Sequence, residues 1–188
     1  ASVGAAGLAL LTILIYVLIY TPLKTRTSFN TIVGAVVGAI PPLIGWVAAA
    51  GSIGRGGIIL GGILFIWQLP HFLALAWMYK DDYQTGGFKM LPSLDASGEL
   101  TARASVMTSM CLVPLALFMS ISGSTHILFA IVGSILGLWV TSRSITFWRK
   151  RDYASARRLF YATIIYLPIL LVFMLIDRQT MQWIEMGS

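Results

Sequence analysis

Long apolar runs separated by short polar segments form the dominant pattern along this chain. A helix needs roughly 20 apolar residues to cross a bilayer, so the runs predict six membrane-spanning helices. Their predicted limits are about 3–20, 30–50, 56–78, 104–121, 126–147 and 158–176. The stretch 104–142 contains no Lys, Arg, Asp or Glu, and the turn residues at 120–125 divide it into two helices. The pattern predicts an all-α fold, a polytopic membrane helical bundle in one domain over 1–188.

The composition supports lipid as the solvent of this chain. Hydrophobic residues make up 57% of the sequence and charged residues only 11%, whereas soluble domains carry about 25% charged residues. The net charge of +6 invites a nucleic-acid interpretation. However, the basic residues occupy short segments between apolar runs, so no nucleic-acid partner is predicted. The single cysteine, Cys111, excludes an internal disulfide and any cysteine-only metal site.

The distribution of basic residues predicts the orientation in the membrane. The segments 21–29, 79–103 and 143–158 lie on one side and hold 11 of the 13 Lys and Arg residues, leaving Arg55 and Arg178 on the other. The 11 are Lys24, Arg26, Lys80, Lys89, Arg103, Arg143, Arg149, Lys150, Arg151, Arg157 and Arg158. Positive loops stay inside, so these three segments are predicted to be cytoplasmic. The bacterial inner membrane is favoured over the mitochondrial inner membrane, because no transit segment is visible.

Polar residues and prolines interrupt the second and third predicted spans. Pro41-Pro42 and Pro70 each leave backbone carbonyls without a donor, and in lipid such groups must face protein or a wet cavity. Gln68 and His71 are three residues apart and share a helix face. A polar pair at this depth is costly unless it faces the bundle interior. The pattern indicates a polar pocket with Gln68 and His71 as substrate contacts, although simple kinks and a satisfied histidine remain open alternatives.

A charged segment directly follows the third span. Asp81 and Asp82 are adjacent carboxylates, which can supply oxygen ligands to a Mg²⁺ ion that grips phosphate. Lys80, Lys24 and Arg26 lie on the same predicted side and could neutralise phosphate charge. Ordinary solvated charges and topology signals are the plainer alternatives. The residues alone therefore indicate a bundle whose polar cavity opens to a charged mouth, as in an enzyme for an anionic lipid-tailed substrate or in a transporter.

Four motifs occur in register: 20–24 (YTPLK) with 26–27 (RT), 30–46 (NTIVGAVVGAIPPLIGW), 67–72 (WQLPHF), and 79–83 (YKDDY) continuing through 90–92 (MLP). Together they resemble the haem O synthase, or protohaem farnesyltransferase, family within the UbiA superfamily of intramembrane prenyltransferases. The resemblance that they define extends over about 20–177. The resemblance implies a nine-helix fold whose last six helices match the six predicted here. It also implies transfer of a farnesyl group from farnesyl diphosphate to a vinyl group of protohaem IX, which gives haem O.

The resemblance also assigns roles to particular residues. The superfamily holds Mg²⁺ between two acidic motifs, and Asp82 with its neighbour Asp81 matches the second, so both are predicted metal and catalytic residues. The further predicted catalytic residues, which stabilise the departing diphosphate, are Lys80, Lys24 and Arg26. The predicted substrate-binding residues are His71, Gln68, Tyr79, Tyr83, Trp67 and Trp77. His71 is the best candidate to touch haem, either as an iron ligand or through a propionate hydrogen bond.

One departure from the family limits this interpretation. No counterpart of the first acidic motif precedes Tyr20, so the chain is predicted to be truncated at its N-terminus and inactive alone. The implied cofactor is Mg²⁺, with haem B as a substrate rather than a cofactor. The implied partners are farnesyl diphosphate, protohaem, the lipid bilayer and haem A synthase. Two rival functions remain, a UbiA-type prenyltransferase for a quinone precursor and a non-catalytic membrane transport or assembly protein.

Overall fold

The computed structural model describes the backbone of residues 2–186 and the side chains of residues 2–177. Over that range the chain forms helices and no strand, and six helices are long and apolar enough to span a membrane. The predicted all-α bundle with six spans is therefore confirmed. The helices are α1 (Val3–Leu23), α2 (Asn30–Ala50), α3 (Arg55–Met78), α4 (Lys80–Thr85), α5 (Leu91–Leu94), α6 (Glu99–Ile121), α7 (Ile127–Lys150) and α8 (Tyr153–Met186).

The ends of the spans differ from the prediction where polar residues continue a helix. Helix α6 begins at Glu99, five residues before the predicted start at 104, because its first turns are polar and hydropathy marks only the part in lipid. The same helix is interrupted at Cys111. Pro114 lies three residues further on and has no N–H to donate to the carbonyl of Met110, which accounts for the interruption.

The predicted loop at 143–158 is wrong. Helix α7 runs to Lys150 and α8 begins at Tyr153, so only Arg151 and Asp152 lie between them. Lys and Arg are good helix formers, and the basic residues extend both helices beyond the lipid. The turn is closed by Arg151, whose N–H donates to the Phe147 carbonyl (2.7 Å), and by Asp152, whose carboxylate accepts from the Ser155 N–H (2.7 Å).

Helix α3 is the centre of the bundle and packs against α2, α6 and α8. Helix α7 packs against α6 and α8, while α1 contacts the rest of the bundle through α2. Close packing of α7 on α6 depends on Gly133 and Gly137, which are four residues apart and so lie on one face of α7. A Cβ on Gly133 would lie 2.7 Å from the Cβ of Ala116, and one on Gly137 would lie 3.0 Å from Val113. In lipid such van der Waals contact is a main force that holds helices together.

Three polar segments meet at one end of the bundle, which we call the charged end: residues 21–29, 79–98 and 151–152. The N–H of Lys89 donates to the carbonyl of Lys24 (2.8 Å), which joins the first two segments. Glu99, at the start of α6, pairs with Arg103 (2.6 Å) and with Arg151, which joins the second and third. The segments predicted to share one side therefore lie together, and the membrane face on which they lie stays a prediction.

Candidate active-site cavity

A cavity of about 380 Å³ lies between α1, α2 and α3, directly beneath the charged end. Its floor and walls are residues of the three helices, and Tyr83, Phe88 and Met90 close it from the segment above. Most of its lining is apolar, with Lys24, Asn30 and Gln68 as its nitrogen-bearing polar side chains among the described residues. A mostly apolar pocket with a few convergent polar groups is the usual form of a small-molecule site.

Lys24 is held at the mouth of this cavity by two tyrosines. Residues Tyr16–Tyr20 form a π-helical turn near the end of α1, and such turns are frequent at functional sites. The Lys24 ammonium lies 4.4 Å from the ring centroid of Tyr20 and 5.4 Å from that of Tyr16. Gly34 makes room for the first ring, since a Cβ there would lie 2.8 Å from Tyr20. An ammonium held over rings still carries N–H donors for an anion.

Asn30 fastens the segment 79–98 over the cavity. Its side chain is fully buried, and its Nδ2 donates to the carbonyl of Thr27 (2.7 Å) and to that of Lys89 (3.0 Å). A buried amide with both hydrogens bonded fixes the spacing of the two segments that it joins. Asn30 is not among the site residues predicted from the sequence, although a polar amide at the start of an apolar run was an available signal.

Gln68 lies in the cavity wall, where α3 faces α2. Its Nε2 donates to the carbonyl of Ala35 (2.9 Å), and the side chain is only 5% exposed. The amide fits because Gly38 has no side chain: a Cβ there would lie 2.2 Å from the Gln68 Oε1. Gly34 and Gly38 thus make room for two cavity side chains, those of Tyr20 and Gln68.

His71 contacts a different helix from Gln68, and it does not line the cavity. Its Nδ1 lies 2.9 Å from the Thr163 Oγ1 of α8. Its ring stacks between Trp67 (centroids 5.3 Å apart) and Phe160 (4.6 Å). The expectation that the two polar residues share one pocket is therefore wrong. A separation of three residues corresponds to about 300° of rotation, so the two side chains point about 60° apart around the helix axis. Gln68 therefore meets α2, whereas His71 meets α8.

Like His71, seven other predicted site residues stand outside the cavity lining: Trp67, Trp77, Tyr79, Lys80, Arg26, Asp81 and Asp82. Trp77 is buried, with its ring edge-on to Phe147 at 5.9 Å, and the Lys80 ammonium lies over the Trp77 ring at 4.6 Å. Tyr79 and Arg26 are exposed at the charged end. Of the predicted catalytic and substrate-binding residues, the structure brings Lys24, Gln68 and Tyr83 together at the cavity.

Asp81 and Asp82 occupy the first turn of α4, and both are exposed. They do not line the cavity, but the next residue, Tyr83, does, and its ring meets Phe88 edge-on at 6.1 Å. Among the described residues no group of three or more His, Cys, Asp or Glu could hold a metal ion. Two adjacent carboxylates do fit the way Mg²⁺ usually binds, through one or two carboxylates together with substrate phosphates and water.

Asp95 is a structural carboxylate and not a third member of this pair. Its Oδ2 accepts from the N–H (2.8 Å) and the hydroxyl (2.9 Å) of Thr101, and its Oδ1 accepts from Ser97 (3.0 Å). Partial burial raises the pKa of Asp95, but the hydrogen bonds from Thr101, Ser97 and Gly98 outweigh it and leave the pKa below its ordinary value. These bonds hold the turn that leads into α6.

Comparison with known proteins gives the class to which this arrangement belongs. The sequence profile of the UbiA prenyltransferase family matches residues 1–174 of the chain. The chain therefore belongs to the UbiA prenyltransferase family, as the sequence motifs predicted. No solved structure matches the chain.

Several relatives carry a more particular name. The chain is 40% identical to a protoheme IX farnesyltransferase of Solibacter usitatus, over 74% of this chain and 48% of that protein. It is 43% identical to one of Opitutus terrae, over 93% of this chain and 59% of that protein. It is 40% identical to a mitochondrial protoheme IX farnesyltransferase of Arabidopsis thaliana, over 93% of this chain and 40% of that protein. The chain thus spans about half the length of the curated relatives it matches.

Proposed function

We propose that the protein transfers a farnesyl group from farnesyl diphosphate to a vinyl group of protohaem IX, which gives haem O. Family membership and the names of the relatives support this activity. The observation that carries the proposal is the cavity beneath the charged end. There an ammonium group, a buried amide and several aromatic rings surround one space, which suits an anion with an apolar tail.

The diphosphate end of the substrate belongs at Lys24. Its ammonium stands at the cavity mouth, where negative charge on the leaving oxygen increases as the carbon–oxygen bond breaks. Arg26 and Lys80 remain proposed contributors to this charge balance. Both lie at the charged end but outside the cavity lining, so we rank them below Lys24.

Asp81 and Asp82 are the residues that would hold Mg²⁺. When bound to these carboxylates and to the diphosphate, the metal acts as a Lewis acid for the leaving group. The carboxylates themselves supply two negative charges at the start of α4. Tyr83, the next residue of α4, lines the cavity, so a diphosphate bound through Mg²⁺ at the two carboxylates would lie next to the cavity.

The chemistry forms one carbon–carbon bond and one carbon–oxygen bond. The bond between farnesyl C1 and the diphosphate oxygen breaks, and its electron pair leaves with the diphosphate. The vinyl group of haem attacks C1, water adds to the remaining vinyl carbon, and that water releases a proton. The aromatic residues of the cavity keep bulk water out and offer ring faces to the positive charge. They are Tyr16, Tyr20, Phe72, Tyr83 and Phe88.

The metal residues can be tested by haem extraction from membranes of a host that lacks its own synthase. Because the chain spans about half the length of its relatives, the host expresses a full-length protein that contains it. We expect Asp82→Asn to lower haem O formation roughly 100-fold or more, the usual size of losing one charge-stabilising group in an active site. Asp152→Asn is the matched control, because that exposed aspartate also lies at the charged end and asparagine caps a helix equally well.

The outcomes separate the rival functions. A normal yield of haem O from Asp82→Asn, at limiting Mg²⁺, contradicts the metal role of this pair. A prenylated quinone precursor in place of haem O would identify another prenyltransferase of the family. Absence of any prenylated product from the full-length wild-type protein, correctly inserted, would favour the transport or assembly function; the 188-residue chain alone is expected to make none.

The cellular setting follows as a further part of the proposal. The protein is a multi-pass membrane protein with the charged end in the cytoplasm, or in the matrix of a mitochondrion. Bacterial and mitochondrial relatives match it alike, so the preference for the bacterial inner membrane stays a prediction. Haem A synthase likewise stays a predicted partner, as the enzyme that would use the product.

A further inference from the structure

The contact between α3 and α8 contains a group of four side chains that the cavity does not include: Trp67, His71, Phe160 and Thr163. The His71 ring lies nearly parallel to Trp67 (interplanar angle 21°) and to Phe160 (25°). The indole Nε1 of Trp67 donates to the Thr163 carbonyl at 2.7 Å. A ring stacked against two others cannot turn freely, so the orientation of this imidazole is fixed by its surroundings.

The hydrogen bonds of Thr163 define the protonation of the imidazole. The Thr163 hydroxyl is fully buried and lies 2.6 Å from the carbonyl of Phe160. A carbonyl only accepts, so the single hydroxyl proton of Thr163 is donated to it. The Thr163 oxygen must then accept from the His71 Nδ1, which lies 2.9 Å away. Nδ1 therefore carries the hydrogen of the neutral ring.

A neutral imidazole with hydrogen on Nδ1 has its lone pair on Nε2. That nitrogen can bind a metal ion but cannot donate to a carboxylate. The sequence left two roles open for His71, an iron ligand or a donor to a haem propionate, and the tautomer favours the first. Histidines that bind metals usually donate their other N–H to a fixed acceptor in this way.

We propose that His71 binds the iron of the haem substrate through Nε2, and that Thr163 is the positioning residue that sets its tautomer. This inference rests on the proposed function, since it requires haem to be a substrate. It assigns Thr163 a role in substrate binding, although Thr163 lies 92 residues from His71 in the sequence. Trp67 and Phe160 hold the ring in place and make no bond to the iron.

The proposal can be tested by titrating ferric protohaem into the purified protein and following the Soret band and the ligand-field bands. We expect a histidine-ligated spectrum from the wild type and its loss in His71→Ala. Thr163→Val removes the acceptor and should weaken haem binding about 10- to 100-fold, the range typical for such outer partners. Thr163→Ser keeps the hydroxyl and should restore wild-type binding. Thr146→Val is the control, because that hydroxyl donates only to Ser142 of its own helix.

The tautomer of His71 can be measured by ¹⁵N NMR of haem-free protein labelled at its histidines. The signal that disappears in His71→Gln is assigned to His71. Hydrogen on Nδ1 in the wild type, and a mixture of tautomers in Thr163→Val, would support the positioning role. Wild-type spectra from Thr163→Val, in protein that makes haem O, would overturn this inference and leave the proposed function intact. A full-length wild-type protein that neither binds haem nor makes haem O would overturn both this inference and the proposed function.

Discussion

Gly38 and Gln68 show how a single missing side chain shapes the cavity. The amide of Gln68 occupies the space that a Cβ on Gly38 would take, and from there its Nε2 reaches the Ala35 carbonyl. In lipid the alternative for this amide is an unsatisfied polar group, which is costly. The glycine therefore allows a polar group to take its place in the cavity wall.

We expect Gly38→Ala to destabilise the protein. The new Cβ must displace Gln68, and a buried donor that loses its acceptor costs about 1–3 kcal/mol. Gly45→Ala on the same helix is the matched control, since a Cβ there meets no atom within 4 Å. The control should leave stability unchanged or raise it by up to about 1 kcal/mol. The thermal unfolding midpoints of the two variants are compared in the same detergent. Equal midpoints would show that Gln68 does not depend on the space beside Gly38.

At the scale of elements, the turn before α6 docks on α3. Gly98 has a φ of +70°, and a Cβ there would lie 2.4 Å from the ring of buried Trp77. Asp95 holds the same turn through its bonds to Thr101. The turn therefore connects the segment 79–98 to the core, and the position of that segment determines where Asp81 and Asp82 stand.

We expect Gly98→Ala to lower the unfolding temperature more than Gly87→Ala. Both glycines have a positive φ, so both variants bear a backbone strain of about 1–2 kcal/mol. A Cβ on Gly87 meets nothing within 4 Å, whereas one on Gly98 must push the indole of Trp77 aside. Thermal melts of the two variants separate the backbone strain, which both variants share, from the steric overlap with Trp77, which only Gly98→Ala introduces. Equal losses in the two variants would show that the Trp77 contact contributes nothing.

The sequence predicted the elements better than it predicted their contacts. Six spans follow from apolar length, because the bilayer sets that length. The ends of α6, α7 and α8 were not predictable from hydropathy, since polar and basic turns remain helical beyond the lipid. The separate partners of Gln68 and His71 depend on which helix packs on each side of α3, and no local pattern encodes that choice. The same holds for the π-helical turn that directs Tyr16 and Tyr20 to Lys24.

At the scale of the whole molecule, the charged end holds both the proposed diphosphate-binding residues and basic residues that predict the orientation in the membrane. Its segments are joined by backbone and side-chain bonds, including the donation from Trp148 Nε1 to Glu99 at 3.0 Å. Exposed ion pairs such as those of Glu99 contribute little to stability, because water and salt screen them. We expect the basic residues here to set the direction in which the helices insert, because positive segments resist translocation. In that orientation the cavity opens toward the cytoplasm, where the proposed diphosphate substrate would be found.

We expect the charged end to face the cytoplasm when the protein is expressed in bacteria. Two single cysteines, each in a Cys111→Ala background, test this: Ala96→Cys at the charged end and Ser52→Cys in the turn at the opposite end. Both positions are exposed, and Ala96→Cys leaves the bond from Ser97 to Asp95 in place. Ser155, which follows the turn between α7 and α8, is unsuitable as a labelling site because it is buried. An impermeant maleimide should label only Ser52→Cys in cells with a permeable outer membrane, and both variants after lysis. Labelling of Ala96→Cys before lysis would show that the charged end faces away from the cytoplasm. The proposed diphosphate site would then lie on the side away from the substrate.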